Sequence, residues 1–118
     1  VIFCLRGMKT SFNEPHRNMV DFAHIPIVKR LTKMPVCIDP SHSVGTRDSS
    51  PDEVLDVLHS TSQGIISGAN MVLVDFHPSP SEALVDGPQA LTLDELPKFI
   101  EDTRITRDAY KKRVTLWK

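Results

Sequence analysis

His42, Asp75 and Asp86 are the residues of this sequence best suited to holding a cation. An imidazole with two carboxylates fits Mn, Fe, Co or Zn better than a carboxylate-only set would. The bland alternative is a histidine that follows a strand and serves only as a hydrogen-bonded structural group. Arg6, Asp39 and Asp75 each stand at or near the end of an apolar run, where a charge needs a partner, a ligand or water. On spacing alone they could equally be structural ion pairs. The run Ser41-His42-Ser43 is not a hydrolase signature, because adjacency in sequence does not create nucleophile–base geometry. His16, His24 and His59 have no supporting context, and His59 reads as a surface residue of a helix.

Three short apolar runs must position these groups, at 1–5, 35–39 and 70–76. Near-continuous apolar runs rich in Val, Ile, Leu and Met suit parallel strands covered on both faces. Side chains alternate faces along a strand, so Cys4 shares a face with Arg6, Cys37 with Asp39 and Leu73 with Asp75. Three neighbouring strands would therefore aim Arg6, Asp39 and Asp75 at one mouth. The polar residues collect just beyond the strands' C-terminal ends, where parallel α/β folds build their active sites.

Helical patterns separate the runs. The first has Met19, Phe22, Ala23, Ile27, Val28 and Leu31 at roughly helical spacing, with Pro26 marking a start or kink. The second spans 52–66, with Ser49 or Ser50 as cap, Pro51 in its first turn, a stripe of Val54, Leu55, Leu58 and Ile65, and Gly68 as the stop. The third starts near Thr92, where Thr92-Leu93-Asp94-Glu95 offers a cap and an acidic first turn. Its expected face is Leu93, Leu96, Phe99 and Ile100. Strand and helix alternate throughout, which implies an α/β fold with a parallel sheet and helices outside it.

Composition limits the partners. A formal net charge of −1 gives no reason to expect nucleic acid or an anionic membrane surface. The basic residues near the end, from Arg104 to Lys118, read as a solvated helix or tail. No apolar stretch approaches the roughly 20 residues of a membrane span. Cys4 and Cys37 are expected to be two buried thiols in a reducing cytoplasm. The sequence opens directly on a core-type strand, as a piece of a larger or split fold would.

At Arg6-Gly7, Arg17-Asn18, Asp39-Pro40-Ser41-His42-Ser43, Asp75-Phe76-His77-Pro78-Ser79-Pro80 and Asp86-Gly87-Pro88-Gln89-Ala90-Leu91, the chain resembles 3-deoxy-7-phosphoheptulonate (DAHP) synthases. The type is the compact one related to 3-deoxy-octulosonate-8-phosphate synthase. The phrase from Val36 to Ser43 and the run from Arg17 to Asp21 favour the heptulosonate branch. The resemblance implies that residues 1–118 are the C-terminal three βα units, strands six to eight, of one (β/α)8 TIM barrel, with 103–118 a helical or basic tail.

It also implies a divalent metal ion held by His42, Asp75 and Asp86, and a phosphoenolpyruvate phosphate bound by Arg6. Arg17 and Ser41 would touch substrate, and Asp39 would act with His42 in catalysis. The activity implied is condensation of phosphoenolpyruvate with an aldose phosphate, erythrose 4-phosphate, opening aromatic biosynthesis in the cytoplasm.

Two positions depart from the family pattern. Asp75 stands where a glutamate is expected, and Leu5 stands where a glutamate usually precedes Arg-Gly. A cysteine ligand on the first strand, together with the lysines and the other arginine that hold substrate phosphates, lies outside this chain. Three readings follow: part of an active synthase, a non-catalytic structural or regulatory partner of one, or a related lyase or aldolase on the same scaffold. Three βα units cannot close a barrel. They would leave two sheet edges and an apolar face open, so a complementary barrel half or self-association is expected.

Overall fold

The computed structural model describes residues 1–12 and 14–118. Its core is a three-stranded parallel sheet in the order β1 (Phe3–Leu5), β2 (Val36–Ile38), β3 (Met71–Val72). Cys4 lies beside Cys37, and Cys37 beside Met71. Backbone pairing runs past the strands: Asp39 N–H donates to Leu5 O at 3.1 Å and Leu73 N–H to Ile38 O at 2.9 Å. The expected parallel sheet is present, and its central strand is buried along its whole length.

Among the described residues four α-helices accompany it: α1 (His24–Thr32), α2 (Pro40–Val44), α3 (Asp56–Ile66) and α4 (Leu96–Leu116). Pro26 sits in the first turn of α1, where a missing N–H costs least. The buried residue of α1 is Ile25, packed with Val36, Ile38 and Ala69, with Phe22 and Val28 against that cluster. Ile27 and Leu31, expected on the inner stripe, are 38% and 76% exposed.

The start of α3 also differs from expectation. Residues 51–53 form a turn, with Glu53 at φ 66°, and the helix begins at Asp56 after an extended Leu55. Neither Ser49 nor Ser50 caps it. Asp56 N–H is instead satisfied by Asp48 O at 2.8 Å. At its far end α3 stops before Gly68, which adopts φ +101° as a helix terminator does.

The third helix starts as expected, through a capping box between Thr92 and Glu95. Of its expected inner face only Phe99 packs, edge-on to Phe76 at 5.6 Å between ring centres. Leu93, Leu96 and Ile100 stay exposed. The basic terminal segment is the continuation of α4, a single 21-residue helix. Cys37 is buried as expected, but Cys4 is exposed, because it lies on β1, an edge of the sheet, whereas Cys37 lies on the central strand. Burial, with the Cys4 thiol alongside, pushes the Cys37 thiol up to about 11.

Candidate active site

The site grows from the end of β2. Asp39 follows the strand and Pro40 takes the first helical position, so the chain turns at once into α2. Asp39 caps that helix by accepting the His42 N–H at 3.1 Å. Three residues on, the His42 ring lies over the same carboxylate, with Nδ1 2.9 Å from Oδ1 and 2.8 Å from Oδ2. One acid thus sets both the helix start and the imidazole orientation. Because the carboxylate accepts from Nδ1–H, His42 Nε2 is left facing the mouth. Gly45 closes α2 in the left-handed region at φ 75°, returning its N–H to Ser41 O at 2.9 Å.

Arg6 arrives from β1 and places Nε 3.2 Å from Asp39 Oδ2. Asp39 is 3% exposed and Arg6 is 54% exposed, so the pair has a buried anion and an open guanidinium. The Arg6 backbone is fastened as well: its carbonyl accepts from Ser43 Oγ at 2.7 Å and from Asn18 Nδ2 at 3.3 Å. The same Asn18 amide reaches His42 O at 3.3 Å. Asn18 gets there because Gly7 turns at φ +96°, with no room for a Cβ beside Met19 O, and Met8 and Met19 then pair antiparallel.

The two acids come from the chain beyond β3. Asp75 N–H donates to Ser41 Oγ at 2.9 Å, and Gln89 Nε2 donates to Asp75 Oδ2 at 2.8 Å. The segment after β3 is paired again further along: Leu91 N–H to Asp75 O and His77 N–H to Leu91 O, at 2.9 and 2.8 Å. That pairing draws residues 86–91 back to the sheet. Gly87 sits so close to Pro80 O that a Cβ would collide with it, and Asp86 before it adopts the left-handed conformation at φ 54°. Asp86 Oδ2 then lies 3.3 Å from His42 Nε2, and Asp75 Oδ2 lies 4.0 Å from it.

A ligand atom from each of His42, Asp75 and Asp86 falls within 4.8 Å of the other two. Two carboxylates around one imidazole nitrogen gather negative charge at a half-open mouth, and a divalent cation would relieve it. The donor set of one nitrogen and two oxygens fits such an ion. Arg6 and Asp39 stand directly behind it.

The other site residues inferred from the sequence sit differently. Ser41 is fully buried and its hydroxyl is engaged by the Asp75 backbone, so it positions an acid instead of facing the mouth. Arg17 lies at the far end of α2, with its N–H on Val44 O at 3.0 Å and its side chain against Gly45. His16 and His59, which had no context in the sequence, pair with Asp56 at 2.7 Å and Asp52 at 2.9 Å. They line a recess of about 540 Å³ together with Asn18, Ser43 and Ser60, and that recess contains none of the three candidate ligands.

Sequence reasoning missed Asn18 and Gln89 as braces, although both lie inside the quoted motifs. It also missed Arg47, whose guanidinium grips Glu95 at 2.9 and 3.0 Å and Ala90 O at 2.9 Å. That contact, with Thr92 donating as well, outweighs burial and holds the Glu95 carboxyl down to about 2. The fork ties the loop after α2 to the segment carrying Gln89.

The model describing the DAHP synthetase I family matches residues 1–112. The chain belongs to that family. Among its relatives, the phospho-2-dehydro-3-deoxyheptonate aldolase of Thermotoga maritima is 32% identical over 114 residues, which cover 97% of this chain and 31% of the relative. A 2-dehydro-3-deoxyphosphooctonate aldolase of Aliivibrio salmonicida is 28% identical over 116 residues, covering 94% and 40%. The crystal structure of the Thermotoga maritima DAHP synthase superposes with a TM-score of 0.79 at 34% identity, over 92% of this chain and 29% of that one. The chain therefore spans about a third of the length of these DAHP synthases. No helix among the described residues is long and apolar enough to cross a membrane.

Proposed function

We propose that this chain supplies strands six to eight, and with them most of the metal site, of a (β/α)8-barrel synthase. All of residues 1–118 would then belong to one barrel domain, with 103–118 completing its last helix. The enzyme would condense phosphoenolpyruvate with an aldose phosphate, erythrose 4-phosphate, to give a 3-deoxy-ulosonate phosphate for aromatic biosynthesis. The observation that carries this reading is the meeting of His42 Nε2, Asp75 and Asp86 within 4.8 Å, with Arg6 joined to them through Asp39. A heptulosonate product is supported by the Thermotoga maritima relative and by the run from Val36 to Ser43.

His42, Asp75 and Asp86 would hold a divalent cation of the Mn, Fe, Co or Zn type. Bound there, such an ion supplies Lewis-acid polarisation of the sugar's aldehyde. Carbon 3 of phosphoenolpyruvate bonds to the aldehyde carbon, water adds at carbon 2, and inorganic phosphate leaves. Arg6 would bind the phosphoenolpyruvate phosphate: more than half of its side chain is exposed, and its planar fork gives bidentate, charge-assisted bonds. Asp39 keeps that guanidinium and the His42 ring in fixed relation, which is the preorganisation that joining two anionic substrates requires. Ser41 fixes the Asp75 backbone. Arg17 would meet the second substrate only through groups supplied by the rest of the barrel.

The sheet supports a shared assembly. β1 and β3 are both edges, and Val1, Phe3, Met71 and Leu73 are 42–90% exposed beside them. A complementary barrel half is the partner such a surface requires. A non-catalytic partner of an active synthase is the second reading, favoured by Asp75 and Leu5 at positions where the family pattern has glutamates.

The test is metal content together with phosphate release from phosphoenolpyruvate and erythrose 4-phosphate, on the intact assembly. His42→Ala is expected to remove both. Turnover by His42→Ala at the parent's rate would sink the mechanism.

A further inference from the structure

Gln89 is a buried polar residue near the mouth with no role in the chemistry set out above. Its side chain is fully buried. Its Nε2 donates to Asp75 Oδ2 at 2.8 Å, and its Oε1 is buried with no donor among the described residues. The amide orientation is settled by chemistry: the opposite one would set a carbonyl oxygen against a carboxylate oxygen, two acceptors in contact. An unpaired buried acceptor is costly, so the residue is held there for what its N–H does.

What the N–H touches is the oxygen of Asp75 that lies 4.0 Å from His42 Nε2. Ser41 already fixes the Asp75 backbone, leaving rotation of the carboxylate as the remaining freedom. Gln89 removes it. The segment carrying Gln89 is itself fastened, by Leu91 N–H to Asp75 O and by Arg47 to Ala90 O.

We propose that Gln89 is a positioning residue for the divalent cation, its amide N–H locking the Asp75 carboxylate in the orientation that faces His42. This rests on the metal reading of the site and adds to it a reason why the shorter acid at position 75 can serve. Partners that orient ligating groups typically change metal affinity by about 10–100-fold when removed. Gln89→Met keeps the volume and removes the donor.

The experiment is a Mn²⁺ titration of the intact protein, with the Co²⁺ absorption band as a second readout, on the parent, Gln89→Met and His42→Ala. We expect Gln89→Met to weaken Mn²⁺ binding by about tenfold or more and to alter the Co²⁺ band, which a purely structural role would leave alone. His42→Ala should lose binding outright. Parent-like affinity and band in Gln89→Met, with His42→Ala defective, would overturn the proposal and leave the metal site standing. Full binding by His42→Ala would overturn the site reading itself. If Gln89→Met does not fold, the Gln89 side-chain amide resonances of the parent decide. They should shift when Zn²⁺ is added, and resonances that stay put would overturn the proposal.

Discussion

Removing the carboxylate of Asp39 should damage the proposed cation site without touching His42, Asp75 or Asp86. Asp39 accepts the His42 backbone N–H at 3.1 Å, the His42 ring at 2.8 Å and Arg6 Nε at 3.2 Å. In Asp39→Asn one oxygen survives and can still receive the backbone and the ring. The new amide N–H faces Arg6, donor against donor, and Arg6, more than half exposed, turns out to water. A hydrogen bond to a charged group is worth about 1.5–3 kcal/mol, and the hydration of Arg6 brings the stability loss to about 1–2 kcal/mol. Asp39→Ala removes the ring's partner altogether. Metal affinity should therefore fall about tenfold in Asp39→Asn and nearer a hundredfold in Asp39→Ala, or roughly 1.4 and 2.7 kcal/mol. Competition binding of Mn²⁺ measures the change in affinity and urea unfolding the loss of stability. An Asp39→Ala protein that unfolds more easily yet binds Mn²⁺ as tightly as its parent would refute the reasoning, because Asp39 would then be only a helix cap.

Asp75→Glu restores the side chain expected from the resemblance, and turnover should be retained or improved; a loss of Mn²⁺ binding would show that the site is built around the shorter acid. Glu95 is held from 4.5 down to about 2 chiefly by Arg47, so its contribution is complete above pH 4.5 and is lost as pH falls toward 2. The full drop corresponds to roughly 3 kcal/mol, and solvent around a pair one-third exposed reduces it to about 1–2 kcal/mol. Glu95→Gln should thus be less stable than the parent at pH 6 and indistinguishable from it at pH 2; an equal gap at both would contradict the assignment. Light scattering on the isolated 118-residue chain should find association or aggregation, whereas a monodisperse monomer would show that the exposed sheet edges need no cover.

The sheet and the direction of its functional groups were legible because they follow from a period of two. Once 1–5, 35–39 and 70–76 are strands, Arg6, Asp39 and Asp75 share a mouth, and Arg6 and Asp39 do pair there. What failed to show was local or cooperative. α2 has five residues, too few for a helical period, and only Asp39-Pro40 hints at it. The start of α3 was placed four residues early, because Ser-Pro-Asp is both a cap sequence and a turn sequence, and the left-handed Glu53 chose the turn. Cys4 was expected inside because its apolar run reads as a strand, and it is exposed because that strand is an edge of the sheet. Gln89 and Arg47 act across 14 and 48 positions of sequence, and burial of a polar side chain leaves no mark on periodicity.

The left-handed backbone at Asp86 makes the two acids of the site unequal under substitution. Asp and Asn tolerate φ near +54° because their short side chains bond locally, whereas a longer side chain there meets its own backbone at about 1 kcal/mol or more. Asn is therefore the mild exchange at position 86, sparing the turn and deleting only the charge, while Glu would disturb the turn itself. At position 75, which is not among the left-handed positions, the reverse holds. One added methylene thus probes ligand reach at one acid and loop geometry at the other, and a paired Asp-to-Glu scan would report on two different things.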